Sequence, residues 1–188
     1  MKKTLPALAA ISELDDPQVA LRLQRRCQGF AKLGYSARVV PSANHLNELH
    51  AYDAVQRDTF SGYMGWAPLD SQWAQATRGL RYAGLGLRSA ADHAPSAYLA
   101  SYSTTLEHCK KLDSAYRWEG AIATSGVAKA LDSYNACVAE AGRLLTHPEP
   151  DKPLRQQSLS QAVDNCKHRE FFNGLNDSDK KALLSEQL

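Results

Sequence analysis

The sequence predicts an all-α protein: an irregular bundle of six to seven helices with a glycine-rich crossover at 83–88. Three observations carry that expectation. Apolar residues recur at steps of three and four over long stretches, and few segments alternate with period two. Helix start and stop residues punctuate the chain, at Asp16-Pro17, Pro41-Ser42 and Asn173-Gly174. Between large apolar residues, Gly84 and Gly86 interrupt the helical pattern with backbones that accept positive φ and close approach.

The first helix expected from caps begins at Asp16-Pro17, where the carboxylate caps free amides and proline loses nothing at the first helical position. Val19, Leu23, Cys27 and Phe30 follow at steps of four, four and three, the spacing of one buried face. Beside that face stand Arg22, Arg25, Arg26 and Lys32, and Arg38 extends the basic character past Gly34. No acid interrupts residues 17–44, so these charges lack local partners. A solvated face and a phosphate-binding face are both compatible with that pattern.

A second helix is expected near 43–63, with Leu46, Leu49, Tyr52, Phe60 and Tyr63 on its apolar side. His45, His50 and Asp53 lie five and three apart, and His45 and His50 do not share a helix face as a metal pair would, so no metal site is assigned. Asp70 or Ser71 starts a short helix bearing Trp73. Tyr63, Trp66, Trp73 and Tyr82, interleaved with Arg78, Arg81 and Arg88, read as a core where helices converge, with base stacking as the alternative. Ser89 is the expected cap after the crossover, and Pro95 the expected start of a helix carrying Tyr98, Tyr102, Leu106 and Cys109.

The most regular pattern is Val127, Leu131, Tyr134, Val138, Ala141 and Leu145, alternating steps of four and three. That is a two-seam heptad suited to packing along one neighbouring helix of the same chain. Prolines 148, 150 and 153 make 147–153 a linker. The expected organisation is therefore a helical domain at 1–146, the linker, and a C-terminal helical appendage at 154–188. In the appendage Leu159, Val163 and Cys166 mark one helix, and Asn176 or Asp177 caps another with Leu183 and Leu184.

Composition narrows the function classes. Residues 1–90 hold 11 Lys/Arg against 7 Asp/Glu, a balance of +4, whereas residues 91–188 hold 11 against 13, a balance of −2. Basic charge in the first half points to a nucleic-acid surface. Cys27, Cys109, Cys137 and Cys166 form no CxxC pair, which disfavours zinc and redox motifs and fits a reducing compartment. The apolar run at 5–11 is short, contains Pro6 and leads into Glu13, Asp15 and Asp16, so it is read as no signal peptide. No segment has transmembrane length, and the expected setting is intracellular, nucleus or cytoplasm.

Catalytic patterns are missing. Asp15-Asp16 are the only adjacent acids, and N-capping accounts for them. Gly84-Leu85-Gly86 lacks the third glycine and preceding strand of a dinucleotide loop. His108 and Cys109 are neighbours, so on a helix their side chains diverge by about 100°. No catalytic residue, metal or cofactor is assigned.

An ordered series of segments carries a resemblance. It comprises Asp16-Pro17-Gln18-Val19-Ala20-Leu21-Arg22-Leu23, Cys27-Gln28-Gly29-Phe30-Ala31-Lys32-Leu33, Gln72-Trp73, Gln75-Ala76, Ala83-Gly84-Leu85-Gly86-Leu87-Arg88-Ser89-Ala90 and Ala94-Pro95-Ser96-Ala97-Tyr98-Leu99-Ala100-Ser101. Looser matches follow at 157–160 and 179–185. The series resembles the region of non-LTR retrotransposon reverse transcriptases downstream of the catalytic palm, on the thumb side. The resemblance implies a thumb-like fragment without palm or C-terminal endonuclease, inactive alone as an RNA-directed DNA polymerase. Gly84, Gly86 and Arg88 carry its motif. Its implied partner is the backbone of an RNA–DNA or DNA duplex, gripped without sequence preference by a monomer through Arg22, Arg25, Arg26, Lys32 and Arg38. The alternative is a helical protein–protein interaction domain with no nucleic-acid role.

Overall fold

The computed structural model describes residues 4–146 and 150–185, so 147–149 of the expected linker lie outside the described residues. Nine α-helices occur in it: α1 (Leu5–Ser12), α2 (Pro17–Cys27), α3 (Gly34–Val39), α4 (Leu46–Met64), α5 (Asp70–Ala76), α6 (Ala90–Leu112), α7 (Gly126–Ala136), α8 (Gln156–Gly174) and α9 (Asp177–Ser185). Short 3-10 turns sit at Phe30–Leu33, Ser42–Asn44, Leu80–Tyr82 and Glu140–Gly142, and no strand occurs among the described residues. The chain is all-α. Two helices exceed the expected six to seven: α1, in the run read only against a signal peptide, and the six-residue α3.

The chain forms two compact units. The first contains residues 1–33, 48–90 and 167–188; the second contains 34–47 and 91–166. The residues after the linker are thus shared, with 154–166 in the second unit and 167–185 in the first.

The first unit buries Ile11, Ala20, Phe60, Tyr63 and Leu87, with Leu14, Leu21, Met64, Trp73 and Leu85 packed around them. Asp16 caps α2 as its sequence requires, its Oδ1 accepting from the amides of Gln18 (2.9 Å) and Val19 (3.1 Å). The expected buried face of that helix is wrong. Val19 is 46% exposed and Leu23 39% exposed, Cys27 is exposed and Phe30 only partly covered, while Ala20 and Gln24 are fully buried. Gln24 is buried because its amide is satisfied: Nε2 donates to Gln56 O (2.6 Å) and Gln56 Oε1 (3.0 Å), and Oε1 accepts from the Tyr63 hydroxyl (2.7 Å). Gln56 Nε2 and the Tyr52 hydroxyl both donate to Gln28 O, which ties α4 to the end of α2. Burial pushes the Tyr52 phenol up to about 12.

In the second unit, α6 is covered on nearly every side from Ala91 to Ala100, with Ala94, Ser96, Ala97 and Leu99 fully buried. Pro95 does not start this helix; it lies inside it. Around α6 pack Trp118, Val127, Leu131, Tyr134, Val138, Leu159 and Val163. Ser125 caps α7 through Oγ, which accepts from the Ala128 amide at 3.0 Å. The heptad is shorter than its pattern. Val127, Leu131, Tyr134 and Val138 are buried, but α7 ends at Ala136 and Leu145 is 72% exposed. Asn135 folds the chain back by pairing with the Leu144 backbone, Nδ2 to O at 2.9 Å and Oδ1 from N at 2.8 Å. The Trp118 indole donates to Thr146 O at 3.0 Å, fixing the same return.

Two substitution pairs check this packing by urea unfolding. Gln24→Leu leaves Tyr63 and Gln56 without their partner and should cost about 1–3 kcal/mol, while Leu23→Gln should stay within about 0.5 kcal/mol. Leu131→Asp and Val138→Asp bury an uncompensated charge and should cost several kcal/mol or abolish folding, whereas Leu145→Asp should be close to neutral.

Candidate nucleic-acid interface

The basic residues read from the sequence divide between the units. Arg22, Arg25 and Arg26 lie on α2 and Lys32 on the following 3-10 turn, not on the helix itself. Arg22, Arg26 and Lys32 are exposed, and none of them makes an ion pair with a described residue. Arg25 is committed differently. Its Nη1 donates to Leu85 O at 3.4 Å, and its aliphatic stem lies where a side chain on Gly86 would stand, 3.1 Å from that Cβ position. Arg38 belongs to the second unit, where Nε (3.1 Å) and Nη2 (3.0 Å) both donate to Gln156 Oε1. The structure therefore brings four of the five into one unit, with three presented to solvent and one anchored on the glycine crossover.

That crossover is a clasp on the end of α5. The amides of Leu85 (3.1 Å) and Leu87 (3.3 Å) both donate to Ala76 O, and that of Gly86 donates to Arg78 O at 2.8 Å. Ala83 takes the left-handed conformation at φ 54°, Gly86 at φ 75°. A Cβ on Gly84 would stand 2.2 Å from Arg78 O, so only glycine fits. At the start of the helix beyond, Asp53 of α4 reaches in, its Oδ1 accepting from the Ala90 amide (2.6 Å) and its Oδ2 from the Ser89 hydroxyl (2.7 Å).

The aromatic cluster is only partly core. Tyr63 is buried and Trp73 packs against the core, but Trp66 is 43% exposed, edge-on to Phe60 at 6.1 Å. Tyr82 instead stacks on His168 of α8 at 4.6 Å, with the Arg81 guanidinium 4.5 Å over its ring. The row continues through Phe172, 6.1 Å from His168, which has the Lys180 ammonium 5.8 Å over it. Sequence reading missed His168, because nothing local marks a histidine that meets a tyrosine 86 positions upstream. Burial, and then the nearby Arg78 charge, hold its imidazole below the ordinary value of 6.5.

Elsewhere, His93 Nε2 and Asp164 Oδ1 meet at 3.3 Å in the second unit, both side chains buried, joining α6 to α8. No group of three or more His, Cys, Asp or Glu stands close enough to hold a metal ion among the described residues. No helix among them is long and apolar enough to cross a membrane.

No protein-family model, curated protein or solved structure matches the chain. What the site can do chemically rests on its own residues: neutralise an anion at α2, and stack rings beside cations at the crossover.

The His168 environment sets a pH dependence with a definite sign. Its folded-state affinity for a proton is lower than the unfolded value of 6.5, so above that pH both states are neutral and stability is complete. As pH falls below 6.5 the unfolded chain gains a proton first, and stability should decline until the folded-state value is passed. His168→Phe keeps a ring against Tyr82 and should remove this portion of the decline in urea unfolding between pH 7 and pH 5.

Proposed function

We propose that this chain is a non-catalytic protein that grips the phosphate backbone of a nucleic-acid duplex through α2 and the turn after it. The observation that carries the reading is the exposure of Arg22, Arg26 and Lys32, which make no ion pair with a described residue, on a stretch with no acid from 17 to 44. Such charges release counterions when they meet phosphates, which supplies affinity without base preference. Arg25 supports the surface from behind by tying α2 to the crossover. The resemblance to the thumb side of non-LTR retrotransposon reverse transcriptases contributes the ligand class, an RNA–DNA or DNA duplex, and the absence of polymerase chemistry in this chain. In this reading the protein works as a monomer in the nucleus or cytoplasm.

A second reading is favoured by one observation. Val19, Leu23 and Cys27 are exposed at four-residue steps on the same helix as Arg22 and Arg26. An apolar stripe edged by arginines is also how a helix presents itself to an acidic protein partner, with no nucleic-acid role.

Binding of a labelled RNA–DNA hybrid measured by anisotropy across a potassium chloride series separates the two. Duplex gripping requires affinity that falls linearly on log–log axes, about −0.9 per phosphate neutralised on B-form DNA, taken as the guide. Arg22→Gln with Arg26→Gln should flatten that slope by about two units, equally for unrelated sequences, with unfolding midpoints unchanged. The absence of a complex at near-physiological salt overturns the duplex reading and leaves the protein-partner one.

A further inference from the structure

The first unit carries another surface that the duplex reading does not use. Two hollows, of about 260 Å³ and 440 Å³, both include Gln72 and Gln75 in their linings. The smaller is apolar, lined by Phe60, Met64, Trp66, Pro68 and Leu85. The larger mixes Phe171, Leu175 and Leu183 with Asp179, the only charged residue lining either hollow among the described residues.

The two glutamines between them are half used. Gln72 Oε1 accepts from the Leu69 amide (2.8 Å), and Gln75 Nε2 donates to Ala83 O (3.3 Å). Gln72 Nε2 and Gln75 Oε1 make no hydrogen bond with a described residue. One donor and one acceptor, three residues apart on α5, complement the C=O and N–H of a passing peptide backbone. Beside them Trp66 remains 43% exposed although it already touches Phe60, so a side chain entering the smaller hollow would complete its burial.

We propose that this groove binds an extended segment of a partner protein bearing one large apolar side chain and, about three residues away, a lysine or arginine. The apolar side chain fills the hollow beside Trp66, the backbone crosses the two glutamines, and the cation meets Asp179. The spacing follows from size: crossing one α-helix spans about 10 Å, and extended chain covers about 3.3 Å per residue. Charge sets the sign of the partner, because a lone carboxylate without a cation in the lining attracts a basic side chain and repels an acidic one. Asp179 is held ready by Asn176, whose Nδ2 donates to Oδ2 at 2.8 Å, and it keeps other lone pairs for a ligand.

The test is selection of peptides from a displayed random library on the full chain, followed by affinity measurement on one selected peptide. The expected outcome is enrichment of an aromatic or leucine residue with a lysine or arginine about three positions away. Trp66→Ala should weaken that peptide about tenfold, as loss of a buried aromatic contact does. Asp179→Asn, which keeps an oxygen for Asn176, should weaken it about threefold. Exchanging the peptide's basic residue for glutamine should cost the same factor, and the two changes together should cost no more than either alone. Circular dichroism and the melting temperature of both variants show that the fold is intact. Enrichment of acidic or purely apolar peptides, no enrichment at all, or unchanged affinity in folded Asp179→Asn overturns the proposal.

Discussion

Much of the first unit is arranged by one carbonyl. Ala76 O, at the end of α5, accepts from two amides of the crossover, Leu85 and Leu87, and Arg78 O accepts from Gly86. A carbonyl has two lone pairs, so one helix end can hold two strand-like amides and satisfy its own terminal groups at once. Gly84 makes this possible, since any Cβ there would collide with Arg78 O. The clasp then fixes three things: Leu85 and Leu87 against the core, Leu85 O where Arg25 reaches it, and Tyr82 where it stacks on His168. A kink of three residues positions groups from α2, α5 and α8.

The helices themselves were largely legible in the sequence, because caps and stops act locally. Asp16 and Asn176 cap as expected, and Asp70 opens α5 while Gln72 Oε1 accepts from the Leu69 amide. Long-range capping is not legible. Ser89 has the right residue type and the right position, but the carboxylate that meets it is not announced: Asp53, 36 positions upstream, accepts from the Ser89 hydroxyl through Oδ2 and from the Ala90 amide through Oδ1. The same holds for α7: four heptad positions are buried as the period implies, but Asn135 ends the helix by bonding a backbone nine residues ahead.

The face of α2 failed for a different reason. Period reading sorts residues by polarity, and it placed Val19, Leu23, Cys27 and Phe30 inward. The structure inverts this, because Gln56, Tyr63 and Tyr52 form a buried polar network that an apolar residue at position 24 could not complete. Leaving a buried amide partner unsatisfied costs about 1–3 kcal/mol, comparable to the burial of one leucine, so a satisfied glutamine competes with Leu23 for the inward position. Residue polarity fails as a guide to burial wherever the partners come from another helix. The groove beside Trp66 was hidden on the same ground, its linings drawn from residues 60–85 and 171–185.

That inversion shapes what α2 can offer. With only Ala20 and Gln24 fully buried, the helix is held by a narrow stripe and by the Arg25 contact to the crossover. Leu21 packs partly against the core, and the remaining circumference presents Val19, Leu23, Cys27, Arg22 and Arg26 at least partly to water. The exposed arginines stabilise the fold little where they stand, since surface charges contribute little. In the reading proposed above, this is the surface a second molecule completes, and its positive charge favours anionic ones at distances up to about 8 Å in physiological salt.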